Sequence, residues 1–355
     1  MSKFFYPLID NPYRKKDINK AIEVLKSFKI TSGIKTINFQ NSFKKKFRLN
    51  NALMVNSGSS ANLLALQCLI NPYRKKRLKR GDEILIPSLC WSTSLWPIIQ
   101  SGLKPKFVDI EKTTLNIDLA DLKSKITKKT KGILIVHVLG NSTNMNELMK
   151  IKKKHSLYLI EDTCESLGTK FRNKYLGSFG EFSSFSFYSS HQISSGEGGM
   201  ICCKNQEDFE ILKALRAHGW SRGLKNEQKI SKQNKHLDKK FIFYNSGFNL
   251  RSTDIAASIG LSQFKDLDKF IKIRNLNRKK IINEFNKSKV RDKITIIKEN
   301  DGIKASWFGI PMVLSKKINK KLFIKKIEKK GVETRPIISG NFLRQPSIKK
   351  YNLNT

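Results

Sequence analysis

Between residues 53 and 161 the chain alternates short apolar runs with longer stretches whose apolar positions recur at helical spacing. The runs fall at 53–55, 83–86, 106–108, 133–136 and 157–160. Runs of this kind, separated by amphipathic helical stretches, predict an α/β domain built on a largely parallel sheet. Residues 183–188 and 199–203 add later strands. From 253 to about 287, Ile255, Ile259, Leu261, Phe264, Leu267 and Phe270 recur at near-helical spacing, which predicts one long helix. The polar, lysine-rich segment 219–241 lacks periodicity and reads as an exposed loop. The chain thus divides into an N-terminal segment with a large α/β domain, 1–265, and a linking helix with a smaller C-terminal domain, 266–355.

Composition narrows the class. A chain of 355 residues with 39% hydrophobic content carries enough apolar surface for a large core. Its N-terminal residues lack the apolar core of a signal peptide, and the strongest apolar run, 133–139, is far too short to span a bilayer. A cytoplasmic location without a membrane partner is expected. The five cysteines, Cys68, Cys90, Cys164, Cys202 and Cys203, form no C-x-x-C pair, which argues for reduced thiols and against a zinc site. A net charge of +40, from 69 basic and 29 acidic residues, attracts polyanions nonspecifically. Lysines are spread along nearly the whole chain and no nucleic-acid motif accompanies them, so a specific nucleic-acid partner is not expected. The hexapeptide Asn-Pro-Tyr-Arg-Lys-Lys at 11–16 and 71–76 has no fixed period and marks no repeat architecture.

The residues that carry chemistry lie just after the apolar runs, where open α/β sheets bind their ligands. Ser57-Gly58-Ser59-Ser60 joins a strand to a helix, and the first N–H groups of that helix with the serine hydroxyls form a phosphate site. The same residues also make a good helix N-cap. Asp162 and Glu165 follow the run at 157–160, where an acid serves either as a helix cap or as a partner for a cation. Trp91 follows the run at 83–86, either as core or as an aromatic platform. His191 stands in a serine- and glycine-rich loop, where an ordinary pKa of about 6.5 makes it a usable base near neutrality.

The segment Ser183-Ser184-Phe185-Ser186-Phe187-Tyr188-Ser189-Ser190-His191 resembles the cofactor-lysine motif of the DegT family, the sugar-nucleotide branch of the vitamin-B6-dependent aminotransferases. Histidine occupies the lysine's place, as in a few dehydratases of that family. Imidazole has no primary amine, so the covalent link to the cofactor cannot form. The resemblance runs from about residue 20 to 345 and implies an aspartate-aminotransferase-like (fold type I) architecture, a mostly parallel central sheet with a small C-terminal α+β domain. It implies pyridoxal or pyridoxamine 5'-phosphate held noncovalently: Ser57, Gly58, Ser59, Ser186 and a second subunit's Asn249 on the phosphate, Trp91 on the ring face, Asp162 at the pyridine nitrogen and Glu165 at the phenolic oxygen. It further implies a homodimer, glutamate as amino donor, and His191 as the base that removes the C3 hydroxyl of a nucleotide-linked 4-keto-6-deoxyhexose for surface-polysaccharide biosynthesis. Arg335, and more weakly His218, would contact substrate or donor.

A related branch adds an iron–sulfur cluster on four cysteines; here Cys164 precedes the adjacent Cys202 and Cys203 with no fourth downstream, so no cluster is expected. The chain stops at Thr355, earlier than the family pattern, so the last elements of the small domain are expected to be missing. Two rivals stay open. One is an aminotransferase whose lysine lies elsewhere, with Lys204 the nearest downstream. The other is a degenerate paralogue that binds cofactor or a polyanion without turnover.

Overall fold

Each apolar run folds as a strand. The structure, a computed structural model, describes residues 4–353; the stop at Thr355 lies outside that range. Two helices, α1 (Lys15–Lys26) and α2 (Ile34–Phe47), precede β1 (Asn51–Val55). Then follow α3 (Gly58–Leu69), β2 (Glu83–Pro87), α4 (Ser92–Gln100), β3 (Lys104–Val108), α5 (Leu119–Ser124), β4 (Thr130–Val136), α6 (Met145–Lys154) and β5 (Tyr158–Asp162). The short strands β6 (Lys170–Phe171) and β7 (Lys174–Tyr175) lead into β8 (Phe182–Ser186) and β9 (Gly199–Cys203).

The central sheet has seven strands in the order β1-β9-β8-β5-β4-β2-β3. β9 runs antiparallel to both β1 and β8, and the other neighbouring pairs are parallel. Alternation along each strand divides the core into two. Leu53, Val55, Ile201 and Phe182 join the larger cluster, while Ala52, Met54, Met200 and Phe185 face a second cluster dominated by phenylalanine. In that second cluster Phe43 stacks on Phe264 at 5.4 Å and meets Phe185 edge-on at 4.9 Å. Because both faces are covered, apolar residues run together in β1, β2 and β4, while β8 alternates phenylalanine with buried serines.

After β9 come α7 (Gln206–Arg216), α8 (Glu227–Gln233), α9 (Asp254–Phe264) and α10 (Leu267–Lys287). Two expectations need correction. The long helix over 253–287 is two helices, broken at Lys265 and Asp266. The break allows both Phe264 and Leu267 to enter the phenylalanine cluster, and turns Asp266 outwards to accept from Arg14 Nη1 and Lys16 Nζ, each at 2.6 Å. Segment 219–241 is also not purely loop. It forms α8, whose Ile230 is buried with Leu224, Ile242 and Ala214. Those apolar positions are too widely spaced to register as a period.

The chain ends in β10 (Ile294–Ile296), β11 (Ile303–Lys304), β12 (Met312–Leu314), α11 (Lys320–Lys329) and α12 (Pro346–Lys350). β10 pairs with β12, whereas β11 pairs with β6 beside the main sheet. Ala305, Trp307, Phe342 and Ile348 are part of the larger core cluster. The Phe342 N–H donates to the Ser88 carbonyl at 2.8 Å and the Ser339 hydroxyl to the Cys90 carbonyl at 2.6 Å, which brings the C-terminal segment against the loop that carries Trp91. Among the described residues no helix is long and apolar enough to cross a membrane.

Candidate active site

The parallel strands deliver their C-terminal ends to one edge of the sheet, and the serine turn, Trp91, Asp162, Glu165 and Ser186 stand at or just after those ends. At the end of β1 the Asn56 N–H donates to the Leu250 carbonyl at 3.0 Å, and the chain turns at Ser57 into α3. The Ser57 hydroxyl caps this helix by accepting from the Ser60 N–H at 3.1 Å. The capping role is therefore real for Ser57, and it leaves the N–H groups of Gly58 and Ser59, which have no partner within the helix, for an anion. A β-carbon on Gly58 would lie 2.7 Å from the Cys164 sulfur and 2.8 Å from Ser186 Cβ, so glycine is what brings this turn against the end of β8. The Ser59 hydroxyl donates to the Thr93 hydroxyl at 2.8 Å, tying the first turns of α3 and α4 together.

At the end of β5 two adjacent acids point to opposite faces of the sheet. Glu161 is wholly buried. Burial pushes its carboxyl up, but the His137 ring at 3.1 Å and the N–H groups of Gly180 and Gly177 outweigh this and hold it below the ordinary value. Its work is structural. Asp162 faces α3 and α4 and accepts from Asn62 Nδ2 at 2.8 Å, the Ser94 hydroxyl at 2.7 Å and the Cys164 N–H at 3.2 Å. Three residues on, Glu165 accepts from the N–H of Leu139 at 2.9 Å, a residue in the left-handed region with φ 53°. Burial, helped by the Asp162 charge, pushes the Glu165 carboxyl up to about 7 against the opposing pull of the Leu139 N–H and Arg335.

The loop after β8 carries His191. Its imidazole packs edge-on against the Phe308 ring at 5.1 Å, and its Nδ1 is buried without a hydrogen-bond partner. Burial, with Arg274 and Arg335 adding positive charge, pushes its pKa down to about 4. The ordinary value expected from sequence is thus corrected: the ring is neutral over the whole physiological range. Gln192, next in the chain, donates from Nε2 to the Glu165 carbonyl at 2.6 Å and to the Ser306 carbonyl at 3.2 Å, linking the His191 loop to the acidic loop.

Trp91 is half exposed at the N-terminus of α4. Ser186 is buried at the end of β8, its hydroxyl accepting from the Tyr188 N–H at 3.3 Å. Arg335 is exposed and acts on Glu165 and His191 through its charge. Exposed Asn249 and half-buried His218 form a separate group: Arg251 donates from Nε to Asn249 Oδ1 at 3.2 Å, and its Nη2 lies 3.1 Å from His218 Nε2. Sequence reasoning missed Asn62, Ser94, Thr93, Leu139, Gln192, Arg274 and Phe308. Asn62 and Ser94 were visible as polar residues within apolar helices, but nothing in the sequence showed which acid they serve.

The nearest downstream lysine does not reach this place. Antiparallel β9 starts at the site edge, with Gly199 beside Val55 and Ser186, and ends at the opposite edge, with Cys203 beside Asn51 and Phe182. Lys204 follows there and donates to the Phe179 carbonyl at 2.6 Å. The aminotransferase alternative therefore has no lysine from this segment.

The DegT/DnrJ/EryC1/StrS aminotransferase family model matches residues 12–354. The chain belongs to this family. It is 37% identical over 350 residues to the GDP-4-keto-6-deoxy-D-mannose 3-dehydratase of Escherichia coli O55:H7, covering 98% of this chain and 89% of that one. The solved Escherichia coli GDP-4-keto-6-deoxy-D-mannose-3-dehydratase with bound hydrated PLP superposes with a TM-score of 0.91 at 36% identity, over 99% of this chain and 90% of that one. A GDP-4-keto-6-deoxymannose-3-dehydratase structure with a trapped PLP-glutamate geminal diamine superposes with a TM-score of 0.90 at 37% identity, over 98% and 89% of the two chains. The expected fold type is thus the one the chain adopts.

The two shifted groups predict opposite pH dependences. Glu165 titrates at about 7 in the folded chain against an ordinary 4.5, so its contribution to stability is lost as pH rises through about 7. His191 titrates at about 4 against an ordinary 6.5, so its contribution is lost as pH falls from 6.5 towards 4. In denaturant midpoints measured from about pH 4 to about pH 8, Glu165→Gln should gain on the unmodified protein as pH rises, and His191→Asn should gain on it as pH falls. Differences that stay flat with pH would contradict both assignments.

Proposed function

We propose that this chain is a PLP/PMP-dependent 3-dehydratase that removes the C3 hydroxyl of a GDP-linked 4-keto-6-deoxyhexose, with glutamate as amino donor. The observation that carries this reading is His191, a neutral imidazole with an unpartnered nitrogen, standing in the loop where the family places lysine while the surrounding groups are kept. The residues present fit the cofactor. The Gly58 turn packs against Ser186 with the Gly58 and Ser59 N–H groups left without helical partners, Asp162 accepts from three donors, and the Trp91 ring is half exposed.

Bound pyridoxamine phosphate supplies an amine for the C4 keto group and an electron sink. Around it the chain's own residues divide the work. The Gly58 and Ser59 N–H groups and Ser186 hold the phosphate, with Asn249 contributed by a second copy in a homodimer. Trp91 covers one ring face, and Asp162 keeps a proton on the ring nitrogen. Glu165, with its carboxyl raised to about 7, would donate or accept a hydrogen bond at the cofactor's phenolic oxygen.

With cofactor and substrate bound, the His191 imidazole would take the proton released from the cofactor's carbon and return it to the departing C3 oxygen, which would leave as water. The balance closes on glutamate: it is oxidised to 2-oxoglutarate by two electrons, the C3–O bond is reduced to C3–H, and ammonia is released. Arg335 lies near enough to act on both His191 and Glu165 by charge, and is placed to meet a carboxylate of the donor or a phosphate of the sugar nucleotide. A cytoplasmic setting suits a nucleotide sugar and five unpaired thiols.

The test follows products by mass spectrometry after incubating the protein with pyridoxal phosphate, glutamate and GDP-4-keto-6-deoxymannose. The expected product is the 3-deoxy-4-keto sugar, with 2-oxoglutarate and ammonia released in step. His191→Asn should keep cofactor affinity and lose turnover by at least about 100-fold. An amino sugar from the unmodified protein, or full turnover by His191→Asn, would overturn the reading. The shared site has its own test: mixing inactive His191→Asn with inactive Asn249→Ala should restore about a quarter of full activity if Asn249 serves its neighbour, because mixed dimers then hold one intact site. No recovery on subunit exchange would place Asn249 outside the neighbour's site.

A further inference from the structure

His191 lacks the orienting partner that a catalytic imidazole ordinarily has. In the usual arrangement a carboxylate or carbonyl accepts from one ring nitrogen and fixes the ring's direction. Here Nδ1 is orphaned, and the ring is held by the edge-on contact with Phe308 and by its own backbone. The backbone is held in turn by the His191 N–H, which donates to the Tyr188 carbonyl at 2.9 Å, and by one cation. Arg274, from the first half of α10, is half-buried and has no carboxylate partner among the described residues; burial holds its guanidinium below the ordinary range. An unpaired buried cation is costly unless its donors are used elsewhere. Its Nη1 donates to the Phe308 carbonyl at 3.2 Å, and its Nη2 makes a longer contact to the His191 carbonyl at 3.5 Å.

These are the carbonyls of the two residues whose rings touch. The contacts then close on the acid. The Phe308 N–H donates to the Leu139 carbonyl at 3.0 Å, the Leu139 N–H donates to Glu165, and Gln192 Nε2 donates to the Glu165 carbonyl. A cavity of about 270 Å³ lies beside this clasp, lined by His191, Arg274, Ser189 and Phe270 with Asp10 and Arg14. Without Arg274 the loop could shift into that space.

We propose that Arg274 is the positioning residue of His191: its guanidinium clasps the His191 and Phe308 backbones together, fixes the imidazole relative to Glu165, and places a permanent positive charge beside the ring. The catalytic part rests on the dehydratase reading; the clasp itself does not. The charged and titratable groups around the imidazole are Arg274 from α10, Arg335 from the C-terminal segment, Tyr188 in its own loop, and Asp10 and Arg14 across the cavity, with Glu165 one loop away.

Two variants separate position from charge. Arg274→Met removes both the donors and the charge at similar length, whereas Arg274→Lys keeps the charge but cannot span two carbonyls. The His191 ring titration, followed by NMR of histidine-labelled protein without cofactor or substrate and assigned with His191→Asn, should move up by about half a unit or more in Arg274→Met and stay in place in Arg274→Lys. Both should lower kcat by roughly 10- to 100-fold while KM for the sugar and cofactor affinity change by less than about threefold. An unmoved titration in a folded Arg274→Met, or full kcat in Arg274→Lys, would overturn the proposal. So would losses in kcat matched by equal losses in cofactor affinity. If Arg274→Met does not fold, Arg274→Lys decides through its split between kcat and KM. An unmodified protein without turnover would refute the dehydratase reading, and the NMR comparison would still decide the clasp.

Discussion

The first turn of α3 lies against the end of β8 because residue 58 has no side chain, and a β-carbon there would meet both Cys164 and Ser186 below 3 Å. The same closeness recurs one strand over, where a β-carbon on Gly199 would lie 2.4 Å from the Ser57 carbonyl carbon. These two approaches put the open N–H groups of α3, the Ser186 hydroxyl and the Asp162 carboxylate around one small volume. The antiparallel course of β9 is part of this arrangement. It begins at the crowded edge, where only glycine fits, and carries the next lysine away to the far edge.

Within that frame the electrostatics are divided. Asp162 is served by three donors, while Glu165 is raised and His191 lowered, each chiefly by burial. Burial disfavours whichever form is charged, so it leaves a carboxyl that holds its proton and an imidazole that lacks one. Two titratable groups pushed in opposite directions by one environment mark this edge of the sheet as the place where their protons are controlled. The family's lysine would add a covalent anchor. Without it, retention of the cofactor would rest, on the proposed reading, on shape, the phosphate contacts and the Asp162 interaction.

Much of this was legible in the sequence because buried parallel strands must be apolar without interruption, and the acids, the tryptophan and the serine turn stand directly after such runs. The histidine in the lysine's place was equally visible. Long-range closure was not. The break at Lys265 and Asp266 goes with an Asp266 carboxylate that accepts from Arg14 and Lys16, about 250 residues away in sequence. The short helix α8 is held by single apolar residues too sparse to form a pattern. The low pKa of His191 arises from burial and from two arginines on other elements, and Arg274 is one of many basic residues in a helix whose periodicity says nothing of which carbonyls it reaches.

The central claim is that this family fold holds its cofactor without a covalent bond to the chain. Mass spectrometry of the protein loaded with pyridoxal phosphate tests it directly, comparing native conditions with denaturation after borohydride reduction. The account predicts the cofactor's mass on the native protein and none on the denatured, reduced chain. A cofactor mass that survives reduction and denaturation, mapped to one lysine, would contradict it and would return the chain to the lysine-dependent members of the family.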